Sequence, residues 1–171
     1  MKIAQTVLMI VLFSAGDLLA QSQSSPGEKT TVILVRHAEK ADDSRDPDLS
    51  PDGYERADLL AKMMEEIKFD AVYSTSFIRT TETARTVAER NQLEIIEYDS
   101  EDPQAVAAYW VEKHRGESIL VAGHSNTVPL FVNELLKREH FTELFDESDY
   151  GNILMVTITS DDERHILHIR F

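Results

Sequence analysis

The sequence predicts an α/β fold, a three-layer α/β/α sandwich around a mostly parallel central sheet, and three observations carry that reading. Short apolar runs alternate with amphipathic helical patterns as βαβαβαβ. Two further runs follow with no helix between them. At least two of the runs end abruptly in basic or imidazole side chains, which a core cannot hold unpaired without a cost of several kcal/mol.

The first run is Thr31 to Val35, and Arg36-His37 closes it. Ser50-Pro51 then supplies an N-cap and a first helical position, before an apolar stripe of Leu59, Leu60, Met63, Met64 and Ile67. Asp70 to Ser74 reads as the second strand, and Ile78, Thr81, Ala84 and Ala88 line the next helix. Leu93 to Tyr98 is the third strand. Asp102-Pro103 opens the third helix, with Val106, Tyr109 and Trp110 expected on its inner side as core. Ser118 to Gly123 is the fourth strand, and Pro129 stands in the first turn of a helix carrying Leu130, Phe131, Leu135 and Leu136. Ile153 to Thr159 and His165 to Phe171 complete the set.

The N-terminus reads differently. Lys2, a mostly apolar stretch from Ile3 to Ala15 and a small residue at Ala20 have the form of a secretory signal peptide over residues 1–20. A polar linker covers 21–28, and one domain occupies 29–171. The apolar stretch is shorter than the roughly 20 residues that span a bilayer, which favours a cleaved signal over the alternative of an uncleaved membrane anchor; after cleavage no stable membrane insertion is expected. The chain has no cysteine, which suits export to a bacterial periplasm and excludes disulfides and thiolate zinc sites. A net charge of −14 argues against nucleic acid as a partner. A small anionic ligand would need a local positive pocket.

Such a pocket is legible. In open α/β sheets ligands bind at the carboxyl ends of the strands. Gly123 leads into His124-Ser125-Asn126 and then a helix N-terminus, so His124 is expected on the same edge as His37. Ser74 leads into Arg79 at the start of another helix. Two arginines and two histidines converging from three strand ends suit a phosphoryl group, since the guanidinium gives forked contacts to its oxygens.

Arg36-His37-Ala38, the stretch Ser74-Thr75-Ser76-Phe77-Ile78-Arg79-Thr80-Thr81-Glu82-Thr83-Ala84, and Gly123-His124-Ser125 together resemble, in order, the signature of the histidine phosphatase superfamily, with its phosphoglycerate mutase-like fold. Ala38 departs from the glycine that many members carry. The resemblance implies a phosphatase acting on a small phosphorylated substrate, with no metal and no cofactor. His37 is then the nucleophile that becomes phosphohistidine, while Arg36, Arg79 and His124 hold the phosphoryl oxygens; the charge of a bound dianion calls for His124 to be protonated there. Ser50 and Ser125 fall where the substrate would lie. The family's general acid has no matching motif here. Glu97 and Asp99, at the end of a strand on the active edge, are the candidates. A non-catalytic phosphate-binding module retaining the fold is the alternative. The acidic residues Asp42, Asp43, Asp46 and Asp48 read as a solvated loop; Glu147 and Asp149 read as loop charges, with a substrate or acid role as the alternative; His114 and His140 read as surface residues.

Overall fold

The computed structural model describes residues 29–171; the signal-peptide and linker expectations fall outside them. The elements in chain order are β1 (Lys29–Arg36), α1 (Pro51–Met63), β2 (Ala71–Ser74), α2 (Ile78–Asn91), β3 (Ile95–Glu97), α3 (Pro103–Lys113), β4 (Ser118–Gly123), α4 (Val128–Leu136), β5 (Asn152–Thr159) and β6 (Arg164–Arg170). One six-stranded sheet runs β3-β2-β4-β1-β5-β6. Its four strands β3, β2, β4 and β1 are mutually parallel, while β5 joins β1 antiparallel and β6 joins β5 antiparallel.

Helices α1 and α2 pack together on one face of the sheet, α3 and α4 on the other. This explains the unbroken apolar run of β1. Val32 and Leu34 enter the core beneath α3 and α4 with Trp110, Phe131 and Leu135, whereas Ile33 and Val35 enter the opposite core with Leu60, Phe69 and Val87. A strand covered on both faces has no side to give to water.

The helix starts follow the chemistry read from the sequence. Ser50 accepts a hydrogen bond from the Gly53 amide at 3.1 Å and Asp102 one from Ala105 at 3.0 Å, each followed by proline in the first turn. Helix α2 is capped from elsewhere. Asp46 accepts from the Ile78 amide at 2.9 Å, so this aspartate is a structural cap rather than a solvated loop charge.

Several expectations need correction. The inward face of α1 is Gly53, Ala57, Leu60 and Ala61, with Met64 buried just past its end, and Leu59 and Met63 are exposed. Small residues at 53, 57 and 61 let this helix approach closely, and a stripe chosen for large side chains overlooks them. Ile78, Tyr109 and Leu130 are likewise exposed, while Trp110 is fully buried as expected. Strand β3 is only three residues long, because Leu93 still bonds back to the Ala88 carbonyl at the end of α2. His114 is buried, not superficial: it caps α3 and bridges the Tyr73 hydroxyl at 2.8 Å and the Glu117 carboxylate at 2.6 Å.

Candidate active site

The register of two central strands builds the site. Arg36 is opposite Gly123 in the parallel β1–β4 pair, and the His37 amide extends the ladder by bonding the Gly123 carbonyl at 2.9 Å. The next residue on each strand is a histidine, so both imidazoles leave the sheet at the same level. Their ring centres are 5.5 Å apart. Ser74 lies opposite Ala122 in the β2–β4 pair, which brings Thr75 beside His124. The three strand ends converge because they are neighbours in register.

A cleft of about 420 Å³ opens here, lined by His37, Lys40, Arg45, Phe77, Arg79, Ser100, His124, Ser125 and Glu147 among others. The His37 ring is almost wholly buried. Its Nδ1 lies 2.7 Å from the Ala38 carbonyl, an oxygen that can only accept, so Nδ1 carries the proton and Nε2 keeps the lone pair. Burial, and after it the nearby charges of Arg36 and Arg79, lower the His37 pKa from 6.5 to about 3. The imidazole is neutral over the whole physiological range. The Ala38 amide that follows is pinned by the Thr83 hydroxyl at 2.9 Å.

His124 is held by hydroxyls. Its Nε2 is 3.0 Å from Thr75 Oγ1, which is 2.8 Å from Thr80 Oγ1. Phe77 packs edge-on against the ring at 5.2 Å. Burial, reinforced by Arg79 and Arg36, lowers its pKa to about 4. It is therefore neutral in this structure; the protonated form expected above belongs to the complex with a phosphate dianion. A bound phosphate dianion would act in the opposite sense and raise it.

The two arginines differ in their commitments. Arg79, at the start of α2, stacks over Phe77 at 4.3 Å and stands 3.8 Å from Asp46. The Arg36 side chain is fully buried and turned into the segment between α4 and β5. Its Nη1 donates to the carbonyls of Asp146, Glu147 and Asp149 at 3.1, 2.7 and 3.3 Å. Its Nη2 donates to Glu147 Oε2 at 2.8 Å, and Tyr150 lies over the guanidinium at 4.2 Å. In both arginines Nε is buried without a partner. Buried donors of that kind are rare enough to call for an explanation, and for Arg79, which lines the cleft, a bound anion supplies one.

The remaining predicted residues divide. Ser125 is buried in the cleft, and its hydroxyl donates to Glu147 Oε1. Ser50 does not line the cleft; its side chain is spent on capping α1. Glu97 and Asp99 line a separate recess of about 300 Å³ with Tyr73, Tyr98, Tyr109 and Trp110. The structure thus does not bring the two expected acids to His37. The carboxylate it does bring is Glu147, read from sequence as a loop charge. Its position depends on Arg36, 111 residues earlier, and no local pattern around residue 147 announces that. Among the described residues no group of three or more histidines, aspartates or glutamates is placed to hold a metal ion.

Comparison with known proteins agrees with this geometry. Residues 32–100 match the family model of the histidine phosphatase superfamily, branch 1. A stretch of 75 residues is 40% identical to phosphoserine phosphatase 1 of Hydrogenobacter thermophilus, covering 40% of this chain and 36% of that protein's length. The protein histidine phosphatase SixA, solved with tungstate, superposes with a TM-score of 0.67 at 21% identity, over 82% of this chain and 96% of that one. A phosphoserine phosphatase from Entamoeba histolytica, solved with 3-phosphoglyceric acid, gives 0.62 at 18% identity, over 83% and 97%. At that identity the solved structures speak for the fold. Over residues 32–100 the chain resembles the histidine phosphatase superfamily, and its fold has the phosphoglycerate mutase-like architecture.

Proposed function

We propose that this protein is a phosphatase that hydrolyses phosphomonoesters, or phosphohistidine, through a phosphohistidine intermediate on His37. One observation carries the reading most. The Nδ1 proton of His37 is tied to the Ala38 carbonyl, leaving Nε2 as a neutral nucleophile in a cleft lined by Arg79, and Arg79 and the neighbouring buried Arg36 each keep an Nε–H without a partner. A neutral imidazole attacks phosphorus and becomes a labile phosphoramidate, which water then opens. Arg36 and Arg79 offset the charge that gathers on the phosphoryl oxygens, and His124, whose pKa the arriving dianion raises so that it takes a proton from solvent, adds a third donor. The match to a phosphoserine phosphatase and the fold shared with a protein histidine phosphatase support the substrate class.

The test is release of phosphate from 4-nitrophenyl phosphate, phosphoserine and a phosphohistidine peptide, with acid quench to trap an acid-labile phosphoprotein. His37→Ala should abolish both turnover and trapping. Turnover surviving in His37→Ala overturns the assigned nucleophile. A wild-type protein that binds phosphate yet hydrolyses none of the three is a binding module instead.

A further inference from the structure

We infer that Glu147 is a catalytic residue, the carboxylate that takes the proton from the water attacking phosphohistidine at His37; this rests on the phosphohistidine reading above. Three features of the geometry point there. First, Glu147 lines the same cleft as His37 and His124, although it comes from the segment leading into β5. Second, it is built into place: Oε2 accepts from Arg36 Nη2 at 2.8 Å, Oε1 accepts from the buried Ser125 hydroxyl, and its own carbonyl accepts from Arg36 Nη1 at 2.7 Å. Third, its side chain remains 78% exposed, whereas its partner Arg36 is at 0%. The carboxylate therefore stands at the open side of the cleft, where water enters and where an accepted proton can leave.

The surroundings select a base over an acid. The Ser125 hydroxyl and Arg36 hold the Glu147 carboxyl below its ordinary range, so it is ionised at neutral pH. Because Ser125, which lines the cleft, donates its proton to Glu147, its own oxygen keeps its lone pairs as an acceptor. The attacking water can thus meet Glu147 directly or across Ser125.

The step balances. The water oxygen bonds to phosphorus as the bond from phosphorus to His37 Nε2 breaks. That electron pair returns to Nε2, restoring the neutral imidazole protonated at Nδ1. One water proton passes to the Glu147 carboxylate, and the other leaves on hydrogen phosphate dianion. Glu147 then gives its proton to solvent. This role does not require Glu97 or Asp99. It also leaves the first step without a dedicated acid, which suits substrates whose leaving group departs readily.

The experiment uses the intact protein with 4-nitrophenyl phosphate, whose leaving group needs little protonation. In Glu147→Gln the side chain keeps an oxygen for Arg36 but loses its basicity. Formation of the phosphoenzyme should be preserved, seen as a burst of nitrophenol equal to the enzyme present. Steady-state turnover should fall by about 10²- to 10⁴-fold, the usual span for general-base catalysis, with phosphohistidine accumulating. Formate should restore part of the turnover in Glu147→Ala. A role confined to placing Arg36 would slow the burst and the turnover together, without accumulation. That pattern, or turnover within about threefold of wild type, overturns the assignment. Failure of the underlying reading looks different: neither wild type nor Glu147→Gln yields a phosphoenzyme while His37→Ala remains active, and the Glu147 role falls with it.

Discussion

The neutrality of His37 carries a thermodynamic signature that does not depend on finding the substrate. In the folded protein this imidazole takes up a proton only near pH 3, whereas in the unfolded chain it does so near 6.5. Between those values the unfolded state binds more protons, so stability rises with pH and is lost as the solution is acidified through that window. At about pH 5 an ordinary histidine is roughly 97% protonated and the native His37 about 1%. Integrating the difference from pH 7 to pH 5 gives a loss of about 2 kcal/mol from this one group. Urea unfolding at both pH values, in wild type and in His37→Gln, isolates the contribution. The glutamine cannot titrate, so the variant should lose about 2 kcal/mol less than wild type on acidification. The comparison is a difference of differences, and any constant cost of the substitution cancels. Equal losses in the two proteins would mean that His37 titrates normally in the fold, and the argument for a buried, pre-deprotonated nucleophile would collapse.

Two further outcomes follow from the packing and the site. A Cβ at Gly53 would stand 2.3 Å from the Glu39 carbonyl oxygen, a backbone atom with little room to move, so Gly53→Ala should cost on the order of 1–3 kcal/mol in urea unfolding despite its better helix propensity. A stabilised Gly53→Ala would show that α1 can lift away from the loop after β1. Glu97→Gln and Asp99→Asn, which face the separate recess, should keep kcat within about twofold on 4-nitrophenyl phosphate and on phosphoserine alike. A loss confined to phosphoserine, the poorer leaving group, would return the role of general acid to that strand.

Much of the architecture was legible because its signals are local. The six strands and four helices stand where the apolar runs and the Ser50-Pro51, Asp102-Pro103 and Pro129 punctuation place them. His37 and His124 meet because two parallel neighbours end in register, which strand position alone suggests. The misjudged residues depend on long-range partners. Leu59 looks buried beside Leu60 until the sheet selects the face carrying Gly53, Ala57 and Ala61. His114 looks like a surface residue until Tyr73, 41 residues earlier, offers its hydroxyl. Asp46 looks like one more acid in an acidic loop until the Ile78 amide, 32 residues on, lacks a cap of its own. Glu147 belongs to the same group.

The ties of Arg36 also bear on the order in which the chain is made. Of the described strands β1 is synthesised first, yet it lies between β4 and β5, and Arg36 finds its carbonyl partners 110 to 113 residues later. A nascent chain released as far as β3 has neither neighbour of its first strand and nothing to neutralise that guanidinium. Closing so long a loop is an entropic debt that only the last third of the protein repays. The segment that carries Glu147 therefore completes the cleft and locks the central sheet in the same event. Truncation before β5 should leave not a weakened site but an unfolded one.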